Sequence, residues 1–419
     1  MKTEGLPDIP AAARDGAGRF HYAFVVVAMG MLTVVGALGL ARYPYALVLP
    51  PMKEALGLNY TEMGLLATGF FAGYLTFALL TSIITAKIGA RLVMVVSMLV
   101  AGLALAGTGL AQGFGAALVA RTITGAATAG GYVQAMSLPS SWFALRRRGL
   151  AAGVQTSGVG LGFIATGFLI PLVLSSHGEP AWRYAWLYMG VAVLAIAVAG
   201  GIWVRNRPAD KGLTPFGPPD APWEARGPSK SPLGGIFKSP VLWHISGVYL
   251  LYGFTNIVVM TFFTAYLTRE VGLDAGTAGG AWAVLGIMVT FGGLTWGAGS
   301  DRLGRPLGLA ASLLFLGLGA FALTAAPQGL AVVYGSAALF GFCLTGAPAI
   351  VAAACGDYFG PRMAAPALGF LTVSFGVGQA VGPSLAGYIA DLTGSFVLPF
   401  LLAGAASVIA AGGALLLKK

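Results

Sequence analysis

Two arginines, Arg42 and Arg121, each stand inside a long apolar segment of the sequence. A charged side chain at the centre of a bilayer costs about 2.5–3.5 kcal/mol on insertion scales, so such residues usually face a partner or a water-filled cavity. None of the 14 acidic residues falls in the middle of an apolar segment. Two cations without an acidic partner predict a positively charged cavity that binds anions. Two alternatives stay open: Arg121 serves packing or gating, and Arg42 extends its long stem to the membrane interface.

Helical spacing places further polar side chains beside the two arginines, because residues three or four apart share a helix face. Tyr45 stands three residues after Arg42, and Thr128 and Tyr132 follow on the face of Arg121. A later apolar segment carries a polar aromatic stripe at positions i, i+3 and i+7, formed by Tyr249, Tyr252 and Asn256. We predict that these residues line the same cavity as the arginines, and packing between helices is the alternative.

The segments that hold these residues are long and apolar. Of the 419 residues, 57% are hydrophobic and only 9% are charged, whereas a soluble domain carries about a quarter charged residues. A spanning helix needs about 20 apolar residues. The sequence predicts twelve such spans, near 22–49, 61–85, 92–110, 115–138, 149–173, 184–204, 241–266, 276–298, 307–326, 330–355, 364–389 and 394–416.

A polar stretch divides the spans into two sets of six. We predict an N-terminal bundle with a cytosolic tail over 1–204, a cytosolic linker over 205–238 and a C-terminal bundle over 239–419. The two halves also match each other along the chain. Residues that correspond at an offset of 215 or 216 are Lys53 with Arg269, Gly89 with Gly304, Gly125 with Gly341 and Phe143 with Phe359. Six helices repeated in the same orientation predict a pseudo-two-fold axis along the membrane normal.

The distribution of basic residues predicts the orientation of the helices. Nineteen of the 24 Lys and Arg residues fall in segments that become cytosolic if the N-terminus is inside, and three fall outside. By the positive-inside rule, both termini and the linker are then cytosolic, as in a multi-pass protein of a bacterial inner membrane. The same distribution accounts for the net charge of +10 without a nucleic-acid partner. Residues 1–20 lack the apolar core of a cleaved signal peptide.

Three short motifs carry more specific information. The loop GAGSDRLGR between the eighth and ninth spans fits the pattern G-x-x-x-D-R-x-G-R through Gly297, Asp301, Arg302, Gly304 and Arg305. Its first-half copy, SIITAKIGAR, has Ala86 in place of the acid. Arg121 and Gly125 form R-x-x-x-G in the fourth span, and GVGQAVGPSLAG carries a Gly-Pro pair in the eleventh. Through these motifs the chain resembles the major facilitator superfamily over essentially its whole length.

The resemblance implies an all-α membrane protein, with twelve transmembrane helices in two six-helix pseudo-symmetric bundles. In this family spans 1, 4, 7 and 10 line a central cavity, which would contain Arg42 and Arg121. Asp301 would help to latch the outward-facing state. The opening GLARYPYALVLPPMKEALGL resembles a poorly characterised bacterial subfamily, and RRRGLAAGVQTSGVGLG more weakly resembles oxalate/formate and monocarboxylate carriers. The fifth span lacks the Gly-Pro motif of the family's antiporters.

These observations favour a secondary active transporter of small organic anions such as carboxylates, working by alternating access. The predicted substrate-binding residues are then those of the arginine cavity and the polar stripe. Because no Asp, Glu or His falls in mid-span, a proton would travel with the substrate, or one anion would exchange for another. The alternatives are an exporter of drugs or hydrophobic compounds, which usually needs a buried acid, and a receptor, which would need a signalling domain.

Other chemistry finds little support in the sequence. Cys343 and Cys355 are the two cysteines, and both fall in one apolar segment without metal-ligand spacing. No nucleophile–base set or phosphate-binding loop is present. We therefore expect a monomer in the lipid bilayer that binds a small anion, has no cofactor or metal, and is not an enzyme.

Overall fold

The computed structural model describes residues 21–178, 180–217, 237–325 and 329–417. The first half contains α1 (Ala23–Val34), α2 (Tyr45–Leu56), α3 (Tyr60–Ile88), α4 (Ala90–Leu110), α5 (Phe114–Ser137), α6 (Pro139–Trp142), α7 (Leu145–Thr156), α8 (Gly158–Ser176) and α9 (Ala181–Trp203). The second half contains α10 (Pro240–Arg269), α11 (Ala275–Leu303), α12 (Arg305–Thr324), α13 (Leu330–Leu344), α14 (Gly346–Thr393) and α15 (Val397–Leu415).

The helices match the predicted spans. Eleven segments within the described ranges are long and apolar enough to cross a membrane. Helix α5 is not among them, because Arg121 and several polar residues lower its hydropathy, but it is a continuous helix packed against α3 and α4. With α5 the predicted all-α fold of twelve spans is confirmed. The tenth and eleventh spans meet inside α14 at Gly360, whose φ of 75° breaks the helical path.

The first predicted span is a broken helix. α1 ends at Val34, a π-helical turn covers Val35–Leu40, and α2 begins at Tyr45. Pro44 immediately precedes α2. Proline has no N–H to donate and fixes its own φ, so it marks the point where the chain changes direction. The turn between the two helical segments carries Arg42.

Proline also changes the hydrogen bonding further along α2. Pro50 lies inside the helix and has no N–H to donate to the carbonyl oxygen of Ala46, four residues earlier. The hydroxyl of Thr264, on α10 in the second half, donates to that carbonyl oxygen instead. Ala46 and Thr264 are both buried. The missing bond of one helix is thus replaced by a bond between the two halves.

Glycines allow the two halves to approach closely along two related interfaces. A Cβ atom added to Gly64 of α3 would lie 2.2 Å from the carbonyl oxygen of Pro383 on α14. A Cβ atom added to Gly279 of α11 would lie 2.3 Å from the carbonyl oxygen of Gly167 on α8. Gly279 follows Gly64 by 215 residues, and Pro383 follows Gly167 by 216. The two contacts are therefore formed by equivalent positions of the internal repeat.

Charged residues join the halves at one end of the bundle. Glu54 of α2 forms an ion pair with Arg269 of α10. The Asp391 carboxylate of α14 accepts the backbone N–H groups of Tyr60 at 2.9 Å and Thr61 at 2.7 Å, where the dipole of α3 favours a negative charge. We call this the outer end, and the end that carries Asp301 the inner end. Between described residues, every hydrogen bond or ion pair that links the halves lies between the outer end and the level of Arg42.

Candidate functional site

The two predicted arginines lie in the walls of one cavity between the halves. This arginine cavity is narrow, with a volume of about 20 Å³, and Tyr45 also lines it. Its other walls come from the turn before α2 and from α2, α3 and α10, through Tyr43, Ala46, Ala67, Phe70, Phe71, Ile257, Met260 and Thr261. Arg121 is 1% exposed and Arg42 is 8% exposed. The structure therefore places both charges in the interior of the protein and not at its edge.

Arg121 is held between three aromatic rings. Its guanidinium carbon lies 4.8 Å from the ring centroid of Tyr45, 4.8 Å from that of Phe70 and 5.1 Å from that of Trp186. The negative faces of aromatic rings attract a cation and partly replace its hydration. Its Nη1 donates to the carbonyl oxygen of Ala41 at 2.9 Å, while Nε is buried without a hydrogen-bond partner. Arg121 thus fixes the backbone immediately before Arg42.

Arg42 has a similar aromatic surrounding and a partner from the other half. Its guanidinium carbon lies 4.7 Å from the ring centroids of Tyr43 and Phe71 and 5.8 Å from that of Tyr74. Its Nη2 donates to Oε1 of Gln379, on α14, at 2.7 Å. Its Nε is buried and has no hydrogen-bond partner. Arg42 therefore contacts both halves of the protein.

The predicted polar stripe of α10 lies beside Gln379. Nε2 of Gln379 donates to Oδ1 of Asn256 at 3.4 Å, and Nδ2 of Asn256 donates to the Tyr252 hydroxyl at 3.1 Å. That hydroxyl donates to the carbonyl oxygen of Leu344, at the end of α13. Tyr249 stacks on Tyr252, with ring centroids 5.5 Å apart. The stripe residues are thus close to one another and are connected to Arg42 through Gln379.

The remaining predicted residues have different surroundings. Tyr132 is half-buried on α5 and lies near Arg42 and Tyr249. Thr128 is buried, and its hydroxyl donates to the carbonyl oxygen of Gly125 at 2.9 Å, within α5. The Tyr45 hydroxyl donates to the carbonyl oxygen of Met63 at 2.6 Å. Tyr132 therefore lies near the arginines, whereas Thr128 bonds to its own helix.

The loop motif forms a charge cluster at the inner end, and its partners among the described residues belong to the second half. Nη1 of Arg305 lies 2.6 Å from a carboxylate oxygen of Asp301, and Nε lies 2.7 Å from one of Asp357. Asp301 is 63% exposed, and its described ion pair is with its own half. Gly304 has φ 86° and ψ 149°, and its repeat partner Gly89 has φ 84° and ψ 155°. Arg302 is exposed and Gly297 is half-buried at the same end.

A second cavity opens at the outer end, with a volume of about 430 Å³. This outer cavity is lined by Leu47, Pro50, Pro51 and Glu54 of α2, by Thr264, Thr268 and Arg269 of α10, and by parts of α8 and α11. Leu47 directly follows Ala46, which lines the arginine cavity. On α10, Thr261 lines the arginine cavity and Thr264 lines the outer cavity, and at about 1.5 Å per residue these positions are roughly one helical turn apart.

Several residues of the site carry no clear sequence signal. Gln379 and Asp357 were missed because an uncharged amide and an acid near a span end are common in membrane helices. Phe71 and Trp186 look like ordinary apolar packing residues. The one sequence feature that could have identified Gln379 is its position inside the Gly-Pro motif of the eleventh span. Among the described residues, no three His, Cys, Asp or Glu side chains are arranged to hold a metal ion.

Comparison with known proteins relates this architecture to transporters. A family model described as Major Facilitator Superfamily matches residues 31–365 and 245–419. The probable sulfoacetate transporter of Cupriavidus necator is 25% identical over 380 residues, covering 87% of this chain and 86% of its own. The hexuronate transporter of Bacillus subtilis is 25% identical over 386 residues, covering 88% and 89%. An inward-facing, unoccupied bacterial homolog of the human lysosomal transporter Spinster superposes with a TM-score of 0.78 at 16% identity, covering 95% and 97% of the two chains.

Proposed function

Because the chain belongs to the major facilitator superfamily, we propose that it carries small organic anions, in particular carboxylates, across the membrane by alternating access. One observation carries the choice of substrate. Two guanidinium groups line one cavity, and the Nε atom of each is buried without a hydrogen-bond partner. Buried polar groups normally have a partner, so an unpaired cation points to a ligand that is anionic. Sulfoacetate and hexuronate, named for two relatives, are both organic anions.

Arg42 and Arg121 have different proposed roles. Arg42 is less enclosed, and its planar guanidinium can offer two parallel N–H groups to one carboxylate. Arg121 adds positive potential and fixes the turn before Arg42 through the Ala41 carbonyl. Asn256 and the hydroxyls of Tyr132 and Tyr249 supply polar contacts for the rest of the substrate. This division makes Arg42 the primary anion ligand.

The orientation and the coupling also belong to this proposal. The distribution of basic residues supports a cytosolic location for both termini, and the end that carries Glu54 and Arg269 then faces the outside. A carrier whose two halves are joined at the outer end is in its inward-facing state. No Asp, Glu or His lines the arginine cavity among the described residues. A proton is therefore carried by the substrate or bound only in its presence, or one anion exchanges for another.

Binding by purified protein tests the choice of substrate. The probes are sulfoacetate, D-glucuronate and, as a lipophilic cation, tetraphenylphosphonium. Arg42→Gln should weaken binding of the anion at least about tenfold, which corresponds to about 1.4 kcal/mol, and Arg121→Gln should do the same. Arg183→Gln is the matched control, because Arg183 donates to the carbonyl oxygens of Gly109 and Ala111, outside the cavity.

The results separate the two candidate functions. Normal binding and transport of the anion by both single variants would refute the role of the arginines. Binding of tetraphenylphosphonium in preference to both anions would favour the exporter of hydrophobic or cationic compounds. Proton uptake by vesicles without substrate, abolished by changing one interior residue, would show that the protein has its own protonation site.

A further inference from the structure

The hydrogen bond between Arg42 and Gln379 has a fixed direction. Arginine has only donors, so Gln379 must present its carbonyl oxygen to Nη2. The amide NH₂ of Gln379 then points to Oδ1 of Asn256, whose own NH₂ points to the Tyr252 hydroxyl. The phenol proton is left to donate to the carbonyl oxygen of Leu344. Each donor and acceptor in this series is therefore assigned by the one before it.

The series connects the two halves through buried atoms only. Arg42 is 8% exposed, Gln379 and Asn256 are 2% exposed, and Tyr252 is 1% exposed. It begins at the turn of the first span and ends at the break between α13 and α14, in the tenth span. A hydrogen bond to a charged group in such a site is stronger than one between neutral groups. Arg42 and Gln379 thus hold α14 to the first half at the depth of the site.

We propose that Gln379 is an internal substitute for the carboxylate of the substrate. This inference rests on the proposed function, because it assumes that Arg42 binds the anion. In the structure the amide oxygen of Gln379 accepts an N–H of Nη2, the nitrogen that takes part in both two-donor edges of a guanidinium. An entering carboxylate carries a full negative charge and displaces the neutral amide oxygen from Arg42. Binding then breaks a bond between the halves and frees the Gln379 side chain.

This arrangement links occupancy to movement. The bond between Arg42 and Gln379 holds α14 against the first half and also satisfies one donor of Arg42. When the anion takes its place, that donor stays satisfied but the connection to Gln379, Asn256 and Tyr252 is lost. The occupied protein therefore lacks the direct bond between Arg42 and Gln379. The substrate itself removes an obstacle to reorientation.

The test compares three substitutions of buried glutamine in the full-length protein. Gln379→Leu removes the competing oxygen and should tighten binding of sulfoacetate or D-glucuronate by roughly tenfold, the scale of one hydrogen bond to a charged group. Gln379→Glu places a tethered carboxylate on Arg42 and should weaken binding at least about tenfold. Gln155→Leu is the matched control, because Gln155 is fully buried and its side chain has no hydrogen-bond partner. It should change binding less than about twofold.

A second measurement needs no ligand. Spin labels on Ser175→Cys and Thr393→Cys, both exposed at the outer end, report the separation of the halves after Cys343→Ala and Cys355→Ala. We call this the outer-end distance. In the empty protein Gln379→Leu should increase the population with a longer outer-end distance, because one bond of the closed state is lost, whereas Gln155→Leu should not.

The outcomes separate this inference from the proposed function. Weaker anion binding by Gln379→Leu would mean that the amide is a ligand and not a competitor, and would overturn the inference. An unchanged outer-end distance in empty Gln379→Leu would also overturn it, since the bond would then not hold the halves together. If neither anion binds the wild type, the proposed function fails, and the outer-end distance still decides whether Gln379 joins the halves.

Discussion

Replacing Thr264 with Val keeps the shape of the side chain and removes the hydroxyl that donates to the carbonyl oxygen of Ala46. Pro50 has no N–H to donate to that carbonyl oxygen. A buried acceptor left without a partner costs about 1–3 kcal/mol. The cost falls on the state with a closed outer end, because opening this end lets water reach the carbonyl. We expect the equilibrium to shift toward the open outer end by roughly 5- to 150-fold.

Two further variants make this prediction specific. Thr264→Ser keeps a hydroxyl and should retain most of the wild-type outer-end distance distribution. Pro50→Ala restores an N–H four residues after Ala46, so the carbonyl oxygen regains a helical donor. In the Pro50→Ala background, Thr264→Val should therefore have a much smaller effect. Spin-label distances would measure the effect of Thr264→Val in the wild-type and Pro50→Ala backgrounds. Equal effects in both would refute the idea that the Ala46 carbonyl oxygen depends on Thr264 because Pro50 cannot donate to it.

Two other contacts give further predictions. Asp391→Asn removes the negative charge at the start of α3, where it accepts the N–H groups of Tyr60 and Thr61; it should lower the stability of the closed outer end by about 0.3–1 kcal/mol, measured from the same distances. Arg121→Lys keeps the charge but loses the planar contact with three rings; it should lower the free energy of unfolding by about 1–2 kcal/mol in thermal or denaturant unfolding. An unchanged unfolding midpoint of Arg121→Lys would mean that the three aromatic rings around Arg121 contribute nothing to the free energy of unfolding.

The sequence predicts the features that follow from the free energy of transferring residues from water into a membrane. Long apolar segments and the distribution of Lys and Arg are sufficient for the twelve helices, because both follow from transfer energies. Arg42 and Arg121 are identifiable for the same reason, since a guanidinium in mid-span is rare. Their presence in one cavity could be anticipated only through the family resemblance.

Features that depend on pairing between distant helices are not predictable in this way. Gln379 is one uncharged side chain in a glycine-rich span, and its importance comes from Arg42, 337 residues earlier. Thr264 is one of many threonines, and its partner is a carbonyl that only Pro50 makes available. Asp357 is an acid near a span end, and its pairing with Arg305 requires the packing of α12 against α14. These contacts arise from tertiary structure, which local patterns do not specify.

The short distance between the arginine cavity and the outer cavity bears on the kind of motion that transport requires. Only about one turn of α10 separates the two spaces, which adjoin each other along α2. Helix α2 also lacks two backbone hydrogen bonds because of Pro50 and Pro51. A helix with such a defect bends more easily than an intact one. Access from the outer end could therefore begin with local bending of α2 away from Thr264, before the six-helix halves rotate as rigid bodies.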